Sequence, residues 1–201
     1  QLTDTSAVLP ALLRCVADFR DVRAPSVSSG NSSNPFEKKA DAPPPTGGGT
    51  SDFSAEATTL AVNVLTTAQI QGFKFLGPNE RGPIKADAVW RAPNVLGTLR
   101  VYDRIDQTKI GEVGSQLIAS DAKGCTGTFF SGSIPETNGT PNARVFTTCQ
   151  REKGPTTVYY LVVPRKPGGI YVFATASSGS ETPAKDADST IRAAVFQAIA
   201  K

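Results

Sequence analysis

The stretch TVYYLVVPRKPGGIYVFATAS, residues 157–177, decides the fold. It holds two runs rich in β-branched and aromatic residues, Thr157–Val163 and Gly169–Ser177, with a turn signal, Pro167-Gly168-Gly169, at their junction. A gap this short joins antiparallel neighbours, because a parallel return needs a crossover of a dozen residues or more. Toward the N-terminus, Thr128–Ile134 and Ala143–Arg151 have the same texture, and Asn138-Gly139 and Lys153-Gly154 supply the turns between runs. Four consecutive strands in a meander are expected. After the last strand, Thr182-Pro183 reads as an N-cap with Pro at the first helical position. Ala187, Ile191, Ala194, Val195, Ala198 and Ile199 then define the apolar face of a closing helix.

The N-terminal half supplies covering helices and further strands. Ala57, Leu60, Ala61, Val64, Leu65 and Ala68 share one face of a helix expected from Ser54, its N-cap, to Ala68. Short strands are expected at Gly72–Leu76, Asp87–Ala92 and Leu96–Ile105. A middle helix is expected around Ile110, Val113, Leu117 and Ile118, weakened by Gly111 and Gly114. Residues 1–23 carry Val8, Leu12, Val16, Phe19 and Val22 at helical spacing, an amphipathic helix too short to be stable alone. Residues 24–51 read as a linker, since 16 of the 27 residues from Ala24 to Thr50 are Gly, Pro, Ser or Thr. The expected class is α+β, an antiparallel sheet packed by helices over residues 52–201.

Composition mostly excludes. The chain has 201 residues, is 39% apolar, and carries 24 Ala, 18 Gly and 15 Pro but no Met and no His. Without His it lacks the commonest general base near neutral pH and the commonest metal ligand. The net charge is only +3 and the densest basic clusters are pairs, Lys38-Lys39 and Arg165-Lys166, so nucleic acid is not an expected partner. The longest uncharged stretch in the ordered-looking part, Ala57–Phe73, contains four Thr, two Gln and an Asn, unlike a transmembrane span. The chain opens at Gln1 with neither a basic nor an apolar leader region, as expected after removal of a signal peptide or for an excised piece.

Three cysteines allow three single pairings. Cys125 and Cys149 lie in neighbouring strand-like segments, while Cys15 stands far away, so Cys125–Cys149 is the pairing expected in an oxidising compartment; the alternative is three buried thiols. Placing the two cysteines directly opposite each other would put Phe129 opposite Val145, with Phe130 and Phe146 on the other sheet face. Two glycosylation sequons begin at Asn31 and Asn138, both in turn-rich stretches.

Catalytic signatures are scarce. Ser120-Asp121-Ala122-Lys123 matches the S-x-x-K pattern, yet it falls at an expected helix end and lacks its S-D-N and K-T-G companions. No phosphate-binding glycine loop and no nucleophile elbow occur, and the cysteines show no C-x-x-C spacing, so neither metal nor cofactor is expected. Asp186 and Asp188 fall in the first turns of the last helix, where the helix dipole favours anions. Trp90, the single Trp, is expected in the core. Arg165 and Lys166 are expected at a hairpin tip, either solvated or holding an anionic group.

The order of elements, with Val158-Tyr159-Tyr160-Leu161-Val162-Val163 and Gly169-Ile170-Tyr171-Val172-Phe173 ahead of a closing helix, resembles the PsbP-like α/β/α sandwich of small envelope proteins. The likeness spans residues 55–201 and implies helices on both sheet faces and a non-catalytic adaptor or assembly role. The leading expectation is a secreted or periplasmic domain that binds a partner protein. Leu12, Val16 and Phe19 are its candidate contacts, as a helix in a groove, alongside Arg165 and Lys166. Covering the domain's own sheet is the competing role for that helix. Two other classes are a lipid or small-molecule carrier with a cavity of ~300 Å³ or more, and a hydrolase using carboxylates or Lys.

Overall fold

The computed structural model describes residues 53–82, 84–136 and 139–200. The expected N-terminal helix with Leu12, Val16 and Phe19, the linker, Cys15 and both sequon asparagines lie outside the described residues.

The chain forms helix α1 (Ser54–Thr67), strands β1 (Lys74–Phe75), β2 (Ala88–Ala92) and β3 (Val95–Tyr102), a 3-10 turn (Gln107–Lys109) and helix α2 (Ile110–Gly124). Strands β4 (Thr128–Ser133), β5 (Ala143–Arg151), β6 (Gly154–Pro164) and β7 (Ile170–Ser178) follow, and helix α3 (Thr182–Ala200) closes the fold. All seven strands join one antiparallel sheet in the order β1-β2-β3-β7-β6-β5-β4. The expected α+β class and C-terminal meander are therefore present, with the β2–β3 hairpin zipped onto β7.

Alternation along the strands creates two cores. Val158, Tyr160 and Val162 of β6, with Val172, Ala174 and Ala176 of β7, face Ile110, Val113 and Leu117 of α2. Leu161 and Val163, with Tyr171 and Phe173, face Ala57, Ala61 and Leu65 of α1 and Ala187, Ile191 and Val195 of α3. The central strands are buried on both sides and read as continuous apolar runs for that reason. This layering is what the α/β/α resemblance implies.

Two small residues allow close approach. A Cβ on Gly97 would collide with the indole of Trp90, its partner across the β2–β3 hairpin, so Gly97 makes the space in which Trp90 is 1% exposed. Gly114 lets α2 settle on β5, since a Cβ there would lie 3.1 Å from that of Ala143. The two glycines expected to weaken α2 thus do not interrupt it.

Several boundaries differ from expectation. The first strand shrinks to Lys74–Phe75, and β3 ends at Tyr102 because the chain turns at Asp103-Arg104. Phe53, not Ser54, occupies the N-cap of α1 and makes no side-chain cap bond. The disulfide Cys125–Cys149 is formed, with Cα atoms 5.6 Å apart, but Cys125 caps the end of α2 rather than lying in a strand. The register is accordingly shifted by four residues, with Phe129 opposite Cys149. An even shift preserves the faces, so Phe130 and Phe146 still point away from the face of Cys149.

Candidate interaction surface

Helix α3 packs on β7 and β6, and α1 packs on β2 and β3. On that face β4 and β5 extend beyond the helices, carrying Thr128, Phe130 and Gly132 beside Phe146, Thr148 and Gln150. Phe130 is 55% exposed, an outlier among the large apolar side chains. Phe146 stacks on Tyr159, with ring centroids 5.8 Å apart and planes at 29°. Gly132 accommodates this ring, because a Cβ there would come 2.6 Å from Phe146 Cε1. Thr148 and Thr157 share a hydroxyl hydrogen bond of 3.0 Å. The strand itself, Thr128-Phe129-Phe130-Ser131-Gly132-Ser133, bears no charge.

On the same face, charged side chains pair with one another. Arg144 of β5 donates through Nε and Nη2 to Asp188 Oδ2 and through Nη1 to Glu136 Oε1, while Arg192 of α3 donates to Glu136 Oε2 at 2.7 Å. Asp188 is 3% exposed, so it serves as a buried partner of Arg144 rather than an N-terminal dipole anion. Burial pushes its carboxyl above the ordinary range, and Arg144 pulls it partly back. Tyr159 donates to Glu181 at 2.5 Å, and burial followed by that carboxylate raises its phenol. Asp186, by contrast, is exposed.

A second set ties β6, β7 and α1. Arg165 donates through Nε and Nη2 to the two oxygens of Glu56, at 2.6 and 2.7 Å, and its guanidinium lies 5.1 Å from the Phe53 ring centroid. Tyr171 donates to Glu56 at 2.6 Å. The bond from Arg165 holds Glu56 below the usual carboxylate range, and burial pushes Tyr171 up to about 12. Arg165 lies in the β6–β7 hairpin connection as expected, but it is 9% exposed and its fork holds the anionic Glu56 rather than being solvated; Lys166 stays exposed.

On the opposite face, Thr147 and Tyr160 donate to buried Asp121. Asp121, Cys125, Phe129, Cys149 and Arg151 line a cavity of about 20 Å³, room for one water molecule. The carrier reading calls for ~300 Å³. Ser120 and Lys123 lie in the last turns of α2, as expected. Among the described residues, no group of three or more His, Cys, Asp or Glu could hold a metal ion, and no helix is long and apolar enough to cross a membrane.

Phe130, Arg144, Glu136 and Glu56 escaped the sequence reading. Arg144 and Phe146 are two apart and so share a face, but only the tertiary fold sets Asp188 against that face. Parity gave the face of Phe130, but its exposure follows from the position of β4 at the margin of the sheet.

No family model matches this chain, and comparison with curated proteins finds no match. Among solved structures, the chain is similar to LpqN, described as involved in cell envelope biogenesis of Mycobacterium tuberculosis. The two share 16% identity over 60% of this chain and 75% of that one, with a TM-score of 0.36.

Proposed function

We propose that this chain is an extracytoplasmic, non-catalytic domain that binds a partner protein. The observation that carries the reading is Phe130, 55% exposed on an uncharged strand at the margin of the sheet. An exposed aromatic beside a second half-buried ring is the composition of an association surface, where aromatic side chains contribute most of the binding energy. The buried or half-buried charged groups Glu56, Arg144, Arg165 and Asp188 are paired within the fold, Arg144 with Asp188 and Arg165 with Glu56. The disulfide supports an oxidising compartment.

The test compares full-length wild type, Phe130→Ser and Lys166→Ala as immobilised baits in extract from the source cells. A protein retained by wild type and Lys166→Ala but lost with Phe130→Ser is the expected result. Identical capture by all three baits would refute the reading.

A further inference from the structure

The two margins of the sheet are built differently. At one, β1 has only two residues and exposes Lys74, which pairs with Glu80. Short length and charge are the usual protection of a sheet edge. At the other, β4 runs for six residues without a charge or a proline, and no described strand pairs with its outer side.

The backbone polarity of that outer side follows from one bond. Ile134 N–H donates to Arg144 O at 2.8 Å, and paired residues of β4 and β5 keep the same register. Hydrogen-bonded pairs recur every second residue, so Thr128, Phe130 and Gly132 spend their backbone groups on β5. Phe129, Ser131 and Ser133 therefore turn their N–H and C=O groups outward. These three positions are symmetric about Ser131.

We propose that β4 pairs antiparallel with β4 of a second copy of this chain, about a dyad at Ser131, joining two seven-stranded sheets into one. This rests on the partner-binding reading above and names the partner. Phe129 then bonds to Ser133 of the second copy, Ser131 to its own counterpart, and all outward backbone groups are satisfied. Phe130 falls opposite Gly132 of the second copy, where the absent side chain leaves it against Phe146, extending the stack on Tyr159. Charge favours the same occupant: an uncharged strand meets its own copy without a like-charge pair, whereas it offers nothing to steer a charged peptide.

Sedimentation of the full chain from about 1 μM to 1 mM tests this, with Ser131→Lys and Ser131→Glu as variants. Position 131 is exposed, so neither change disturbs the core. Wild type is expected to dimerise, each variant alone to associate about tenfold more weakly or worse, and an equimolar mixture of the two to recover the dimer. A wild-type chain monomeric throughout, or variants that dimerise as well as wild type, would overturn the proposal. A monomer whose capture of another protein still depends on Phe130 would overturn the second copy while sparing the partner-binding reading; loss of both would remove both.

Discussion

Glu56 shows how much one residue can be asked to hold. It accepts from both nitrogens of the Arg165 fork and from Tyr171, and the guanidinium in turn covers Phe53. Its carboxyl is held below the ordinary range first by the bond from Arg165. A lowered carboxylate pKa stabilises the fold above the unfolded value and loses that contribution as pH falls through the folded one. The stability difference between wild type and Glu56→Gln is therefore expected to be full near neutrality and to shrink on acidification below about pH 4.5, as measured by urea unfolding across pH. Asp188 shifts the other way, so carboxyl-carbon NMR should find it titrating above the ordinary aspartate range and Glu56 below the ordinary glutamate range. Neither role is visible locally: Glu56 and Arg165 are separated by 109 positions.

Among the elements, the disulfide links helix to sheet. It fastens the end of α2 to β5 across 24 positions, after which the chain passes Gly127 and enters β4. A loop of that length corresponds to about 3 kcal/mol in the chain-entropy model. Cys125→Ser/Cys149→Ser is expected to lose stability of that order in urea unfolding, with the α1 and α3 packing intact. The pairing was legible only as the favoured one of three, on strand texture that holds at Cys149 and not at Cys125. The register was not, because placing them opposite each other assumed that Cys125 lies within β4. The strands β5, β6 and β7 and the helices α1 and α3 were legible because their burial follows simple periods of two or 3.6 residues. The 3-10 turn capped by Asp106 lacked any such period, and its Asx-type bond to Thr108 is purely local.

At the scale of the whole molecule, the cluster at Arg144 joins three separate parts: β5, α3 and the segment after β4 that carries Glu136. Removing one partner of such a nearly buried group leaves an uncompensated charge. Arg144→Ala is expected to cost about 3–5 kcal/mol near neutral pH. Because Asp188 then sheds its charge by taking a proton, the loss should diminish as the solution is acidified, which paired urea titrations at two pH values would read. The same cluster lies on the sheet face that carries Phe130, so the charges beside that surface are paired with one another.

The sequence by itself determined the class of fold, the meander and the closing helix. Each of these rests on local periodicity, turn chemistry or residue type. Only the tertiary structure decided which strand lies at the margin, and so that Phe130 meets solvent while the similarly patterned aromatics Tyr160 and Phe173 are 2% exposed. It also decided that Arg165 is an internal partner rather than a surface cation. Burial and charge pairing are sums over segments distant in the chain, and no window of sequence contains them.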